Sequence, residues 1–212
     1  MDVKTLFSAI TAILLLVSLI MIFSYKQNPE NSAIKYLALF IVLHFIGFVG
    51  FILRNQIPDF LSIVVANTLF GAGTLSLYLA TKAITNKTPI WYNRYLIPLL
   101  TYFIGFIIFT YVEYDTSIRI FIYYLFCFIY TSAIAWLFWF NDSVRFRVFD
   151  RVSAIFFAAL SIIFLGVVFQ TSFTKLQAYY FSNTNTFMIL SIFIMILLNL
   201  WTVIATKYRI KN

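Results

Sequence analysis

Cysteine is almost missing from this 212-residue chain: Cys127 stands alone, so an internal disulfide is excluded. Histidine is equally scarce. With His44 as its single imidazole, far from Cys127, the chain has no metal-ligand spacing. A Gly-rich phosphate loop is absent, and no Ser/His/Asp grouping emerges. These absences exclude the usual catalytic and metal-binding constellations, and the chain is read as a non-enzyme without a cofactor. Charge is the third scarcity. Charged residues make up 10% of the chain, against roughly a quarter in soluble domains.

What fills the gap is apolar: 63% of residues are hydrophobic and 21% aromatic. No water-soluble core could hide so much apolar surface behind so few charges, so lipid must be the solvent for most of it. A net charge of +8 would point to nucleic acid in a soluble protein. Here the charges fall in short stretches between apolar runs, where they set topology and meet anionic lipid. Nucleic acid is therefore not an expected partner, and membrane lipid is.

A spanning helix needs about 20 mostly apolar residues. Seven stretches qualify, at 5–24, 33–53, 60–84, 90–110, 116–140, 151–169 and 187–206. The expected fold is therefore all-α and polytopic, a single domain of seven transmembrane helices over 1–212. The first stretch is read as a retained helix, because no small-residue cleavage site follows at 25–30. Asn31 or Ser32 can cap the second, Pro58 lies near the start of the third, and Pro98 interrupts the fourth. Residues 141–150 read as an amphipathic elbow, and 170–186 as a polar loop with an aromatic cluster at Tyr179, Tyr180 and Phe181.

Counting basic residues in alternate connections orients the chain. Lys4, Arg54, Arg119 and Lys175 fall on one side, and the other 11 of the 15 on the other. The positive-inside rule then places the N-terminus outside and the C-terminus in the cytoplasm. The expected location is a bacterial inner membrane, crossed several times.

The turn Tyr111-Val-Glu-Tyr-Asp-Thr-Ser-Ile-Arg119 is a polar island between two apolar runs. Asp115 is placed to cap the following helix. Arg119, four residues on, shares its face and can pair with it. The bland reading of Glu113, Asp115 and Arg119 is a solvated loop with a helix cap. The sharper one is the rim of an extracytoplasmic site, beside Arg54 and Asp59, in which Arg119 meets a ligand carboxylate. Asn67 lies under the same rim, with Gly71 and Gly73 after it, a spacing that serves helix packing or a ligand contact. His44 is mid-helix, either a relay candidate or an imidazole satisfied by a neighbour. No lysine occurs between 187 and 206, so the seventh helix cannot carry a retinal Schiff base.

Asn67-x-x-x-Gly-x-Gly73 followed by Tyr111-x-x-x-Asp115-x-x-x-Arg119 resembles the N-terminal seven-helix membrane region of bacterial membrane-bound diguanylate cyclases, the GGDEF proteins. The likeness runs over nearly the whole chain. It implies a sensory region whose seventh helix would lead into a cytoplasmic cyclase making cyclic di-GMP, and it carries a signal site onto Asn67, Asp115 and Arg119. This chain ends at Asn212 without that output domain, so the resemblance implies a regulatory module, with a partner or output domain in the cytoplasm and a possible homodimer. The expected function is sensing of an extracytoplasmic or membrane-borne cue, the ligand unidentified. The alternative is a small-solute transporter or channel.

Overall fold

The structure, a computed structural model, describes residues 3–85, 93–141, 146–173 and 201. Among them every extended element is helical. In order these are α1 (Val3–Gln27), α2 (Ser32–Ile52), a π-helical turn (Phe60–Val65) running into α3 (Ala66–Ile84), α4 (Asn93–Ile107) running into a second π-helical turn (Ile108–Val112), α5 (Thr116–Trp139) and α6 (Arg147–Phe173). Among the described residues six helices are long and apolar enough to cross a membrane. Of the expected seventh, 187–206, only Trp201 lies among the described residues.

Local chemistry sets the boundaries. Asn31 starts α2, its Oδ1 accepting the amides of Ala33 (3.0 Å) and Ile34 (3.3 Å), two of the donors a helix start leaves free. The corner between α2 and α3 turns on Asn55, whose φ of 69° is a left-handed conformation that asparagine tolerates. α6 departs from the expected 151–169 at both ends. It begins at Arg147, where buried Asp150 accepts a 2.7 Å bond from Asn141 Nδ2, so the elbow read over 141–150 is partly helix. It continues to Phe173, with Thr171 Oγ1 donating back to Val167 and Val168 carbonyls.

α5 packs along α6, α2 along α3 and α1 along α2, while α3 also meets α4 and α5. Two apolar cores result. The larger joins Leu14 and Met21 of α1, Phe40 and Ile41 of α2, Ile134 and Phe138 of α5 and Phe157 of α6. The smaller, between α3, α4 and α5, is aromatic: Tyr102, Phe106, Phe126 and Tyr130 around Leu75. Lipid tails are as apolar as leucine, so helix association rests on close fit rather than on escape from water. Gly47 against Phe70 and Gly50 against Ala66 provide such fit, an added Cβ lying 3.1 and 3.0 Å away.

The outside of the bundle is as apolar as its inside. Leu16, Leu19 and Phe23 on α1, Ile97, Leu100 and Ile104 on α4, and Ile155, Ile162 and Phe169 on α6 form exposed stripes at helical spacing. Such stripes mean a multi-pass membrane protein, because hydrocarbon solvates them and water does not. The turns after α2 and α4 share one end of the bundle, which carries Arg54 and Arg119. The opposite end carries Lys82, in the last turn of α3. Trp201 sits at this lysine end, its Nε1 donating to Ser153 Oγ at 2.8 Å and its ring 5.2 Å from that of Phe157.

Candidate functional site

At the arginine end the polypeptide builds a buried guanidinium. Asp115 caps α5, its Oδ1 accepting the amides of Ser117 (2.7 Å) and Ile118 (3.1 Å), and this fixes where the first turn begins. Arg119 falls in that turn on the inward face and is only 4% exposed. Its Nη2 donates to Thr116 Oγ1 at 2.8 Å and its Nη1, at a longer 3.4 Å, to Thr110 Oγ1 in the second π-helical turn. The Tyr114 ring lies 4.8 Å from Cζ, with its hydroxyl in hydrogen-bond reach of the guanidinium.

All these partners are neutral. Among the described residues the carboxylates at this end are Asp59, Glu113 and Asp115, and Arg119 pairs with none of them. The expected Asp115–Arg119 pair therefore does not form. The reason is the cap: with Oδ1 turned to the Ser117 and Ile118 amides, the carboxylate points along the helix axis, away from the i+4 side chain. With five donors and no anion among the described residues, Arg119 keeps hydrogen-bonding capacity to spare. Asp115→Ala is expected to cost about 1 kcal/mol of stability in denaturant unfolding through the lost cap. Asp115→Asn should cost a few tenths, as asparagine caps equally well; a cost equal to alanine's would point to a charge role instead.

Tyr114 is exposed and sits beside two cations. Hydrogen bonding to Arg119 and its charge, with lesser help from Thr116 and Arg54, hold the phenol below its ordinary 10.0. The ionised form is thus favoured in the folded chain. Its contribution to stability is fully present above pH 10.0 and is lost as pH falls through the lowered folded value. Tyrosinate absorbance, wild type minus Tyr114→Phe, should titrate with a midpoint below 10.0. Arg119→Gln should move it back up; an unmoved midpoint would remove Arg119 from the phenol's surroundings.

The other expected site residues are placed as follows. Arg54 is exposed in the α2–α3 corner, close enough to Tyr114 to affect its ionisation. Glu113 is exposed at the end of the second π-helical turn. Asn67 is not brought to Arg119. Its Nδ2 donates to Ile63 O at 2.6 Å, where the first π-helical turn becomes α3, and its own carbonyl accepts the Tyr102 hydroxyl at 3.1 Å. A widened turn frees carbonyls, and Asn67, Thr68 and Tyr102 fill them. These bonds tie the start of α3 to α4. His44 is buried, its Nδ1 2.9 Å from Phe40 O and its ring against Phe70, so the imidazole is satisfied within the bundle.

Sequence reading missed Thr110, Thr116 and Tyr114 as the groups that hold Arg119. Their one sequence signal is helical proximity, Thr116 lying three residues before it. It also missed Lys82, counted only as a topology charge, which is 4% exposed and held by Tyr95. Its signal was Tyr78, four residues earlier on the same face. Among the described residues no group of His, Cys, Asp and Glu converges as a metal site. Comparison with protein-family models, with curated proteins and with solved structures finds no match to this chain.

Proposed function

We propose that the chain is a membrane-embedded sensory module that binds an extracytoplasmic cue bearing a carboxylate or phosphate group at Arg119. The observation that carries this reading is an arginine only 4% exposed, whose guanidinium has two threonines and a tyrosine as its described partners. Burying a cation costs several kcal/mol, and neutral hydroxyls offset only part of it. An anion offers bidentate hydrogen bonding and the missing charge together. Tyr114 covers the guanidinium from the solvent side, and Arg54 adds a second cation at the mouth.

A seven-span topology with the arginine end outside completes the proposal. The basic bias of the opposite connections supports the orientation. Trp201 supports the seventh crossing: α6 ends at Phe173 at the arginine end, and 28 residues later the chain packs at the lysine end. Binding must favour one helix arrangement over another to send a signal. α5 is the element to carry it, since it holds Arg119 at one end and packs along α6 throughout. The resemblance to diguanylate-cyclase membrane regions supports a cytoplasmic output in cyclic di-GMP signalling, in a dimer of a bacterial inner membrane.

Transport is the second reading. It is favoured by hydroxyls strung along the α3–α4–α5 seam, from Thr110 through Tyr102 to Tyr130 and Tyr78. The rings of Tyr102, Phe106 and Phe126 close that seam, with centroids 4.6 to 4.9 Å apart. Sensing therefore ranks first. Two measurements on the full chain test it: anion-dependent thermal stabilisation, which should saturate and fall with Arg119→Gln, and uptake of labelled carboxylates or phosphate into liposomes, which should stay at the protein-free level. Robust uptake would replace the sensor by a carrier.

A further inference from the structure

We infer that the lysine end holds a second, separate anion site, built on Lys82 and taking a phosphate group. Lys82 lies in the last turn of α3 and is 4% exposed, as buried as Arg119. Its Nζ donates to the Tyr95 hydroxyl at 3.0 Å. It stands 5.6 Å from the centre of the Tyr95 ring and 5.9 Å from that of Tyr78, near the outer limit of a useful cation–π contact. The Tyr130 ring packs on Tyr78 at 5.5 Å and closes the cage on the α5 side.

An ammonium has three N–H donors, and the described residues engage one. No described carboxylate reaches it: Glu30 is exposed in the α1–α2 turn, and Asp150 is bonded to Asn141. Nearby Thr81 and Thr85 donate to carbonyls of their own helix. Two rings at nearly 6 Å do not repay the desolvation of a buried charge, whereas an oxyanion on the two remaining donors does.

The surroundings favour phosphate over carboxylate. Lys26, Lys35, Arg147 and Arg151 lie at this same end of the bundle, a positive field that rewards the more highly charged anion. The Tyr95 hydroxyl, already oriented by Nζ, can donate its proton to a further phosphate oxygen. At the end of a spanning helix the cage lies at headgroup depth, so the phosphate can belong to a phospholipid or be free in solution.

The test uses the full chain carrying Arg119→Gln, which silences the arginine end, in two arms. In neutral detergent, inorganic phosphate is titrated against chloride at matched ionic strength. In nanodiscs, phosphatidylcholine alone is compared with phosphatidylcholine plus phosphatidylglycerol. The readout is the thermal midpoint. A saturable rise in the first arm identifies free phosphate, and a rise only with phosphatidylglycerol identifies a lipid. In that background Lys82→Met should weaken the remaining response at least tenfold in whichever arm shows it, and Tyr95→Phe should weaken it severalfold with the fold intact. If Lys82→Met does not fold, Tyr95→Phe decides. The inference is overturned if neither arm responds, or if the response survives the Lys82 or Tyr95 change. A response present in the unsubstituted chain and wholly lost with Arg119→Gln belongs to the other end and rejects the lysine site alone.

Discussion

Arg119→Met should raise the thermal midpoint of the unliganded chain and, in the same variant, remove its response to an anionic cue. The two effects have opposite signs because they come from the two halves of one imbalance. In the free chain the guanidinium is desolvated against Thr110, Thr116 and Tyr114 with no counter-charge among the described residues. Replacing a poorly compensated buried charge by an apolar side chain of similar length is neutral or stabilising, by about 1–4 kcal/mol in the better-documented cases. In the liganded chain the same change deletes charge-assisted hydrogen bonds worth roughly 1.5–3 kcal/mol. At about 1.4 kcal/mol per factor of ten, that is a loss of affinity between tenfold and a little over a hundredfold.

A structural role predicts the reverse. If threonines and tyrosine satisfied Arg119 fully, methionine would strand their hydroxyls and lower the midpoint. Calorimetric or fluorescence melts with and without anion separate the cases in one experiment. Arg119→Lys refines the answer. It keeps the charge but loses the planar fork, so it should retain a weak anion response and recover little of the geometry. A drop in the midpoint of unliganded Arg119→Met would show that the guanidinium is a structural strut, and the cue-binding proposal would fall with it.

Much of the architecture could be read from the chain because it depends on one-dimensional signals. The starts of α2 and α5 follow from side chains that cap from outside the helix, Asn31 and Asp115, and both do so. The stretch 60–84 matches the helical run Phe60–Ile84 because its apolar length exceeds any alternative. α6 was underestimated for a physical reason: Asp150 looks like a loop residue until Asn141 is folded back onto it. The two π-helical turns had no sequence signature, since they depend on which carbonyls find side-chain donors. The site was half legible. An arginine entering an apolar run is visible as an anomaly, but its partner was assigned by helical spacing alone. The cap had already claimed Asp115, and that competition exists only in three dimensions. Lys82 was hidden by the opposite error, as lysines near helix ends are normally solvated. The tyrosines that enclose this one come from three helices.

Gly73→Ala should be among the most damaging small substitutions in the bundle, and His44→Ala should largely cure it. A Cβ on Gly73 would fall on Nδ1 and Cε1 of the His44 ring and lie 3.3 Å from Phe40 O. The imidazole has little room to retreat: it is 4% exposed, bonded to Phe40 O, and packed between the rings of Phe40 and Phe70 at 4.5 and 5.3 Å. Relief must come from separating α2 and α3, one of the most closely packed pairs in the molecule. Overpacking of this kind costs about 1–3 kcal/mol, and the rigid backbone on the far side favours the upper end. Intrinsic preference opposes this, since alanine is about 1 kcal/mol better than glycine inside a helix. With His44 cut back to alanine the collision disappears while that preference remains, so Gly73→Ala should become neutral or slightly stabilising. A double-mutant cycle read by thermal or denaturant unfolding gives the coupling directly, and it should approach the full cost of the single glycine change. Additive effects would mean that the histidine does not rest on Gly73, and that the contact between α2 and α3 is looser than this packing requires.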